Sequence, residues 1–181
     1  MPRSNTTAAP GPDAIHLLLT DHRTVEALFE EFETADEKRV QRSVALAICK
    51  ELAVHDKIES KLFYPTVKQE AAPAGDAVNE GIVEHEAIRN LVKQIPKLRA
   101  TDELFESRVK VLIEYVKHHV KEEESELLPK VRASRIDLQA LGAKMETAKQ
   151  KYASAYSESQ RRKAGGHLRQ LRKGDASQPS P

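Results

Sequence analysis

The chain contains two copies of one pattern, in which a histidine is followed four residues later by a glutamate and six residues after that by a proline. The first copy is His55, Glu59 and Pro65, and the second is His119, Glu123 and Pro129. Because residues i and i+4 lie on one face of a helix, each copy places an imidazole beside a carboxylate. This internal repeat constrains the fold, since two helices must present matching polar faces.

The repeat extends to a single histidine upstream of each copy. His22 follows Asp21 before the first copy, and His85 follows Glu84 before the second. His22 also falls inside an apolar stripe of helical spacing, one turn after Leu18. The order along the chain is therefore a histidine and a His-x-x-x-Glu pair, and then the same again.

Apolar residues at helical spacing predict five helices. The predicted ranges are about 13–34, 36–64, 76–99, 102–128 and 134–156. Short or moderate connections join the first four, so neighbours are expected to be antiparallel, and the fifth has a thinner apolar stripe. We therefore predict an all-α fold, an up-down-up-down four-helix bundle with an additional C-terminal helix on its outside.

The two ends of the chain differ from this body in composition. Residues 1–12 are expected to form a disordered leader, and residues 13–156 the bundle. Residues 157–181 hold more Lys and Arg than Asp and Glu and are expected to be a flexible basic tail, with a short helix over 161–171 as the alternative. The body is left mildly acidic, so we expect no specific nucleic-acid partner.

Composition also indicates where such a protein works. No apolar run approaches the ~18 residues that span a membrane, and the N-terminus lacks the apolar segment of a secretory signal. The single cysteine, Cys49, excludes an internal disulfide and lies in an apolar stretch, where a packing role is expected. These features predict a cytoplasmic protein with no membrane partner. No nucleophile–base pair or phosphate-binding loop stands out, so hydrolase or kinase chemistry is not expected.

The inward polar residues predict a metal centre. A lone histidine on an apolar stripe is usually a hydrogen-bonded core residue, but here four helices each place one histidine inward. Burying Glu59 and Glu123 without cations would cost several kcal/mol each or force their protonation. Nitrogen and oxygen donors without thiolate suit iron, manganese or zinc. Two His-x-x-x-Glu pairs predict two metal ions close together.

This pattern resembles the hemerythrin family, specifically the bacterial hemerythrin-like (HHE cation-binding) proteins, over about residues 13–150. The resemblance implies two iron ions bridged by Glu59, Glu123 and an oxo or hydroxo group. It also implies four terminal ligands, which are His22, His55, His85 and His119. The function it implies is binding of O2, handling of peroxide or nitric oxide, or iron sensing, and protein partners are not implied.

One departure from the family is expected to change the chemistry. Oxygen-carrying hemerythrins have a further histidine one turn after His85, where this chain has Arg89, and the preceding turn has Gly81. An open coordination position is therefore expected, which favours binding of substrate, peroxide or nitric oxide over reversible O2 carriage.

Three residues are candidates for an additional ligand or a supporting contact. Glu51 and Tyr115 each lie four residues before a repeat histidine, so either they face the metals or they hydrogen-bond water at the rim of the bundle. Asp56, next to His55, is a weaker candidate.

Other polar residues leave the register of the second copy open. His118 and Glu122 also have i, i+4 spacing, but the proline alignment favours His119 and Glu123. Glu124 is expected on a solvated face, and His16 at a helix flank.

Three functions remain after these observations. The first is a di-iron protein, enzyme or carrier, that binds or reacts with O2, peroxide or nitric oxide. The second is a metal-dependent sensing or iron-buffering module without turnover. The third, a metal-free scaffold that uses its basic tail, does not explain the duplicated inward glutamates.

Overall fold

The computed structural model of the protein describes the backbone of residues 11–175 and the side chains of residues 11–162. Residues 1–10 of the expected leader and residues 176–181 of the expected tail lie outside this part. The helices are α1 Ala14–Thr34, α2 Lys38–Ile58, α3 Tyr64–Glu70, α4 Gly75–Gln94, α5 Phe105–Glu122, α6 Leu128–Arg132 and α7 Leu138–Asp175. Asp13 caps α1, because its Oδ1 accepts a hydrogen bond of 2.8 Å from the backbone N–H of His16.

The long helices form the predicted up-down-up-down four-helix bundle. Helix α1 packs on α2, α2 on α4, and α4 on α5, so that successive long helices are neighbours. Helix α7 packs against α1 and α2 from outside. The predicted all-α bundle with an additional C-terminal helix is therefore confirmed.

The sequence predicted that two of the long helices end near Pro65 and Pro129. In the structure each continues beyond its proline, through a π-helical turn. One turn, Glu59–Phe63, joins α2 to α3, and the other, Glu123–Leu127, joins α5 to α6. In the first, the backbone N–H of Tyr64 donates to the carbonyl oxygen of Glu59, five residues back. Proline lacks an N–H and its ring clashes with the carbonyl four residues earlier in a regular helix, and a wider turn relieves both problems.

A polar layer divides the apolar core into two clusters. One cluster includes Leu18, Ile58, Phe63, Val78 and Leu127, and the other includes Val25, Leu52, Ile88 and Val116. Along α1, His22 lies between Leu18 of one cluster and Val25 of the other. The repeat histidines occupy the same position on their own helices. The predicted metal layer thus crosses the middle of the bundle.

Helix α7 is longer than predicted. It was expected to end near Tyr156 and to be followed by a flexible tail, but it continues to Asp175. Residues 157–162 are rich in good helix formers, and the i, i+4 pair Glu158 and Arg162 has its charged groups 3.9 Å apart, which supports continuation. In the part of the chain that the structure describes, none of the helices is both long and apolar enough to cross a membrane.

Candidate metal centre

The structure brings together the six residues that the repeat singled out. Their exposed fractions are 1% for His22, 8% for His55, 0% for Glu59, 3% for His85, 4% for His119 and 2% for Glu123. The histidines come from α1, α2, α4 and α5, and each glutamate is the first residue of a π-helical turn. Two carboxylates and four imidazoles are therefore buried in one layer of the bundle.

The Nε2 atoms of the histidines point toward the glutamates and toward one another. The distances are 3.0 Å from His55 Nε2 to Glu59 Oε2, 3.2 Å from His85 Nε2 to the same oxygen, 3.2 Å from His22 Nε2 to Glu123 Oε2, and 3.0 Å between Nε2 of His85 and Nε2 of His119. Donor atoms of His55, Glu59, His119 and Glu123 all lie within 4.8 Å of one another. This spacing suits shared coordination of metal ions.

Most of these donor atoms lack a hydrogen bond. Both carboxylate oxygens of Glu59 and of Glu123, and Nε2 of His22 and of His55, have no hydrogen-bond partner among the described residues. Native proteins leave few buried polar atoms without partners, because each one costs about 1–3 kcal/mol. Coordination of metal ions satisfies all of them at once, so the donor set fits a metal centre.

The electrostatics of the two glutamates lead to the same conclusion. Burial, reinforced by the negative charge of Glu59, raises the pKa of Glu123. Burial also acts to raise the pKa of Glu59, but the positive charge of His55, whose Nε2 lies 3.0 Å from Oε2, outweighs it and leaves that pKa well below its usual value. Without a cation, the environment therefore opposes ionisation of Glu123 and favours that of Glu59. Bound cations would hold both in the ionised form.

Each of the four histidines uses its other ring nitrogen to contact a carboxylate. The Nδ1 distances are 2.8 Å from His22 to Glu124, 3.4 Å from His55 to Asp21, 2.9 Å from His85 to Asp56, and 2.7 Å from His119 to Glu84. A carboxylate at Nδ1 fixes the orientation of the ring and makes Nε2 a better ligand. These four contacts explain why every Nε2 atom is directed inward.

Two of these supporting carboxylates follow the repeat. Asp21 and Glu84 each precede a single histidine, and each contacts the histidine of the neighbouring His-x-x-x-Glu pair. Burial raises the pKa of Asp21, but the hydrogen bond and charge of His55, and then those of Lys149, outweigh it and lower the pKa overall. The sequence contained this signal in the acidic residue before each single histidine.

The other two supporting carboxylates break the repeat. Glu124, which was expected on a solvated face, instead contacts His22 and also pairs with Arg23. Asp56 contacts His85 across the bundle and not its neighbour in sequence, His55. Their counterparts in the other copy are the serine at position 60 and the valine at position 120, so the repeat could not have identified these contacts.

Arg89 stands where oxygen-carrying hemerythrins have a further histidine ligand, and here it makes a contact with a carboxylate instead. Its Nη1 donates to Asp56 Oδ1 at 2.7 Å, and Asp56 in turn contacts His85. Burial raises the pKa of Asp56, but the hydrogen bond with His85 outweighs it, with a further contribution from Arg89, and the pKa is lowered. Burial acts to lower the pKa of His85, yet the hydrogen bond with Asp56 and the nearby carboxylate of Glu59 raise it to about 9.

Tyr64 is a site residue that the sequence reasoning did not identify. Its side chain is 2% exposed, and its hydroxyl oxygen lies 3.5 Å from Nε2 of His85. It fits because Gly81 has no side chain: a Cβ there would lie 2.9 Å from the tyrosine oxygen. In the second copy the corresponding residue is Leu128, so Tyr64 makes the two halves of the centre different.

Glu51 and Tyr115 are not brought into the cluster of donor atoms. Glu51 pairs with Lys50 at 3.0 Å and lines the pocket beside the centre. Tyr115 is 48% exposed. Tyr115 lies four residues before His119, which is more than one helical turn, so its side chain points away from the buried face. The buried residue one turn before His119 is Val116. The three candidates for additional contacts thus separate into Asp56 behind a histidine, Glu51 at the rim, and Tyr115 at the surface.

The register of the second copy is resolved by burial. His119 and Glu123 are buried, whereas His118 is exposed and Glu122 is half-buried. His16 is also exposed, as expected for a helix flank. Cys49 is buried in the core, and burial raises the pKa of its thiol to about 12.

A small pocket lies beside the imidazoles, on the side of the apolar cluster that includes Val25. Apolar side chains of Val25, Leu52, Ile88 and Val116 line it together with the four histidines and three acidic residues, one of which is Glu51. An apolar pocket against a metal centre suits a small molecule of low polarity.

Comparison with known proteins gives two similar proteins. A relative from Nostoc sp. (strain PCC 7120 / SAG 25.82 / UTEX 2576), named DNA nickase, is 30% identical over 112 residues, which are 62% of this chain and 31% of that protein. The chain thus aligns with less than a third of that relative.

The fold is similar to the crystal structure of a Hemerythrin HHE cation binding domain-containing protein from Mycobacterium kansasii. The TM-score is 0.69 at 20% identity, and the match covers 83% of this chain and 93% of that chain. At this identity the likeness concerns the fold alone.

The family itself is decided by a match over most of the bundle. The model of the Hemerythrin family, described as the Hemerythrin HHE cation binding domain, matches residues 13–131. These residues contain all six buried donors, both π-helical turns and the four supporting carboxylates. The chain therefore belongs to the Hemerythrin HHE cation binding domain family.

Proposed function

We propose that the protein is a non-haem di-iron protein that binds or reacts with O2, peroxide or nitric oxide. The observation that carries this proposal is the set of four carboxylate oxygens on Glu59 and Glu123, which are buried among four imidazoles and have no hydrogen-bond partner in the described part of the chain. Glu59 and Glu123 would hold both ions in this proposal. The remaining ligands would be His22, His55, His85 and His119. Manganese and zinc suit the same donors.

Bound iron would supply the chemistry of this proposal, since ferrous ions can donate electrons to O2, peroxide or nitric oxide. The protein's part is to hold and orient the donors, through the carboxylates at each Nδ1 atom. The apolar pocket lined by Leu52, Ile88 and Val116 supports a small, weakly polar ligand. The turns before and after His85 carry Gly81 and Arg89, so neither supplies a further histidine ligand. This supports an open coordination position, which favours binding of substrate, peroxide or nitric oxide over reversible O2 carriage.

Metal analysis joined to an optical spectrum tests the proposal. Anaerobic reconstitution with ferrous iron should give two iron per chain, and exposure to O2 or peroxide should produce an absorption band that reduction bleaches. The matched control is the double variant Glu59→Gln and Glu123→Gln, which keeps side-chain volume and removes both charges. Failure of the native chain to retain iron, or equal retention by the double variant, contradicts the proposal.

A metal-dependent sensor or iron buffer without turnover is the second candidate. It is favoured by the position of the centre between the two apolar clusters, because occupancy there couples directly to bundle stability. This candidate predicts a large effect of iron on the melting temperature without consumption of peroxide or nitric oxide. Measured consumption at more than one turnover per centre favours the first candidate.

We propose a role in oxidative or nitrosative stress in the cytoplasm, where a buried lone thiol such as Cys49 stays reduced. DNA nicking is not proposed, because the alignment covers only 31% of the relative so named and the pocket over Glu123 is acidic. Fractionation of cells and a plasmid-nicking assay test these two points.

A further inference from the structure

A second His-x-x-x-Glu pair lies one residue out of register with the buried one. His118 and Glu122 stand on the surface side of α5, and Glu84 of α4 reaches toward them. Donor atoms of these three residues lie within 4.8 Å of one another. The Nε2 atom of His118 is 3.2 Å from Glu122 Oε1 and 3.5 Å from Glu84 Oε1. One imidazole and two carboxylates at this spacing form a donor set for a divalent cation.

Glu84 connects this surface group to the buried centre. Its Oε1 faces His118, while its Oε2 accepts a hydrogen bond of 2.7 Å from Nδ1 of His119. The side chain is 23% exposed, so it lies at the boundary between solvent and the buried layer. One carboxylate therefore belongs to both groups.

A pocket beside the surface group reaches the buried centre. Its acidic lining includes Glu80, Glu84, Glu122 and Glu126, and at its inner side it includes Glu123. Glu123 is 2% exposed, and neither of its oxygens has a hydrogen-bond partner in the described part of the chain. No lysine or arginine is among the described side chains that line this pocket. A cleft of one charge sign concentrates counter-ions and accelerates their capture.

We propose that Glu84, His118 and Glu122 form an outer site for a divalent cation, from which the ion passes through this acidic pocket to the buried centre. The inference rests on the proposed function, since the buried dimetal centre is the destination of the ion. The outer site is exposed, so it binds weakly and exchanges quickly. It changes how fast the centre is filled and leaves the final occupancy unchanged.

The test compares loading rates of metal-free protein mixed anaerobically with ferrous iron. The variants are His118→Ala and Glu122→Gln. The control is Glu106→Gln, on the same helix, whose side chain is 40% exposed against 42% for Glu122. We expect His118→Ala and Glu122→Gln to load about tenfold more slowly and to reach the same iron content and spectrum, and Glu106→Gln to load at the native rate. Equal rates in all four proteins overturn the proposal.

A second measurement separates this proposal from that of the buried centre. In the double variant Glu59→Gln and Glu123→Gln, Mn²⁺ titrated by electron paramagnetic resonance should still occupy one weak site, which Glu122→Gln added to that variant removes. A double variant that binds no Mn²⁺ overturns the outer site and leaves the buried centre standing. If the native chain binds Mn²⁺ weakly but retains no iron, the outer site is supported and the proposed function is contradicted.

Discussion

At the scale of single residues, the centre depends on carboxylates that do not face it. Asp21, Asp56, Glu84 and Glu124 each contact an Nδ1 atom, and so direct an Nε2 atom inward. The repeat in the sequence identified the inner donors because both copies needed the same residue types. It did not identify Glu124 or the true contact of Asp56, because these depend on which side chains meet across helices.

Asp56→Asn tests the importance of a supporting carboxylate. The amide accepts a weaker hydrogen bond from His85 and loses the charge that holds Arg89, so the imidazole is less well oriented. We expect metal affinity to fall about 10–100-fold in a competition titration with a chelator. The control is Asp76→Asn, at an exposed position in the first turn of α4, which should keep native affinity. Equal affinities for the two variants would contradict the role of Asp56.

Cys49 should be unreactive in the folded protein. Burial raises the pKa of its thiol to about 12, so at pH 8 the reactive thiolate is far scarcer than in the unfolded chain. We expect alkylation by iodoacetamide to be slower by on the order of a thousandfold than in urea, and to accelerate as pH rises toward that pKa. Mass spectrometry of quenched samples measures the rate, and rapid labelling of the native protein at pH 8 would contradict the burial.

At the scale of elements, the π-helical turns explain why sequence reasoning placed the helix ends too early. Pro65 and Pro129 are helix breakers in a regular helix, and the prediction stopped the helices near them. Hydrogen-bond strain from each proline is instead absorbed one turn earlier, where the turn widens at Glu59 and Glu123. A wider turn also leaves neighbouring residues less rotated about the axis, which helps Glu124 reach His22. A change in the direction of side chains after a π-helical turn cannot be predicted from the 3.6-residue period of a regular helix.

Helix α7 depends on a close approach that only glycine permits. A Cβ at Gly142 would lie 2.6 Å from the carbonyl oxygen of Pro12 and 2.8 Å from the backbone nitrogen of Ala14. Both contacts are with backbone, so the chain must shift, and we expect Gly142→Ala to lower the free energy of unfolding by about 1–3 kcal/mol. Urea denaturation at fixed metal content measures this change.

Gly75→Ala is the matched control for that substitution. A Cβ at Gly75 meets no heavy atom of the described chain within 4 Å, and the residue begins helix α4 with helical backbone angles. We therefore expect no loss, and a gain of up to about 1 kcal/mol from reduced freedom of the unfolded chain. A loss at Gly75 as large as that at Gly142 would show that the contact with the start of α1 does not decide the effect.

At the scale of the whole molecule, the bundle contains a buried polar layer that forms the candidate metal site and lowers the stability of the metal-free protein. Apolar clusters lie above and below, and the layer between them holds two buried glutamates whose oxygens have no hydrogen-bond partner among the described residues. The sequence was sufficient to predict this layer because the hydrophobic period and the polar repeat fall on the same helix faces. It was insufficient for Tyr64, because the space left by Gly81 appears only when α3 and α4 pack together.

This organisation predicts an order of stability that reverses with metal. Without metal, the double variant Glu59→Gln and Glu123→Gln should be more stable than the native chain, because it keeps side-chain volume and removes two buried carboxyl groups that repel each other. With saturating metal, the native chain should be the more stable of the two, since binding to the folded state adds stability that the variant cannot gain. Urea denaturation of both proteins, with and without metal, measures the four values. If the metal-free variant is the weaker protein, the glutamates are satisfied by the imidazoles alone, and their burial is no longer an argument for cations.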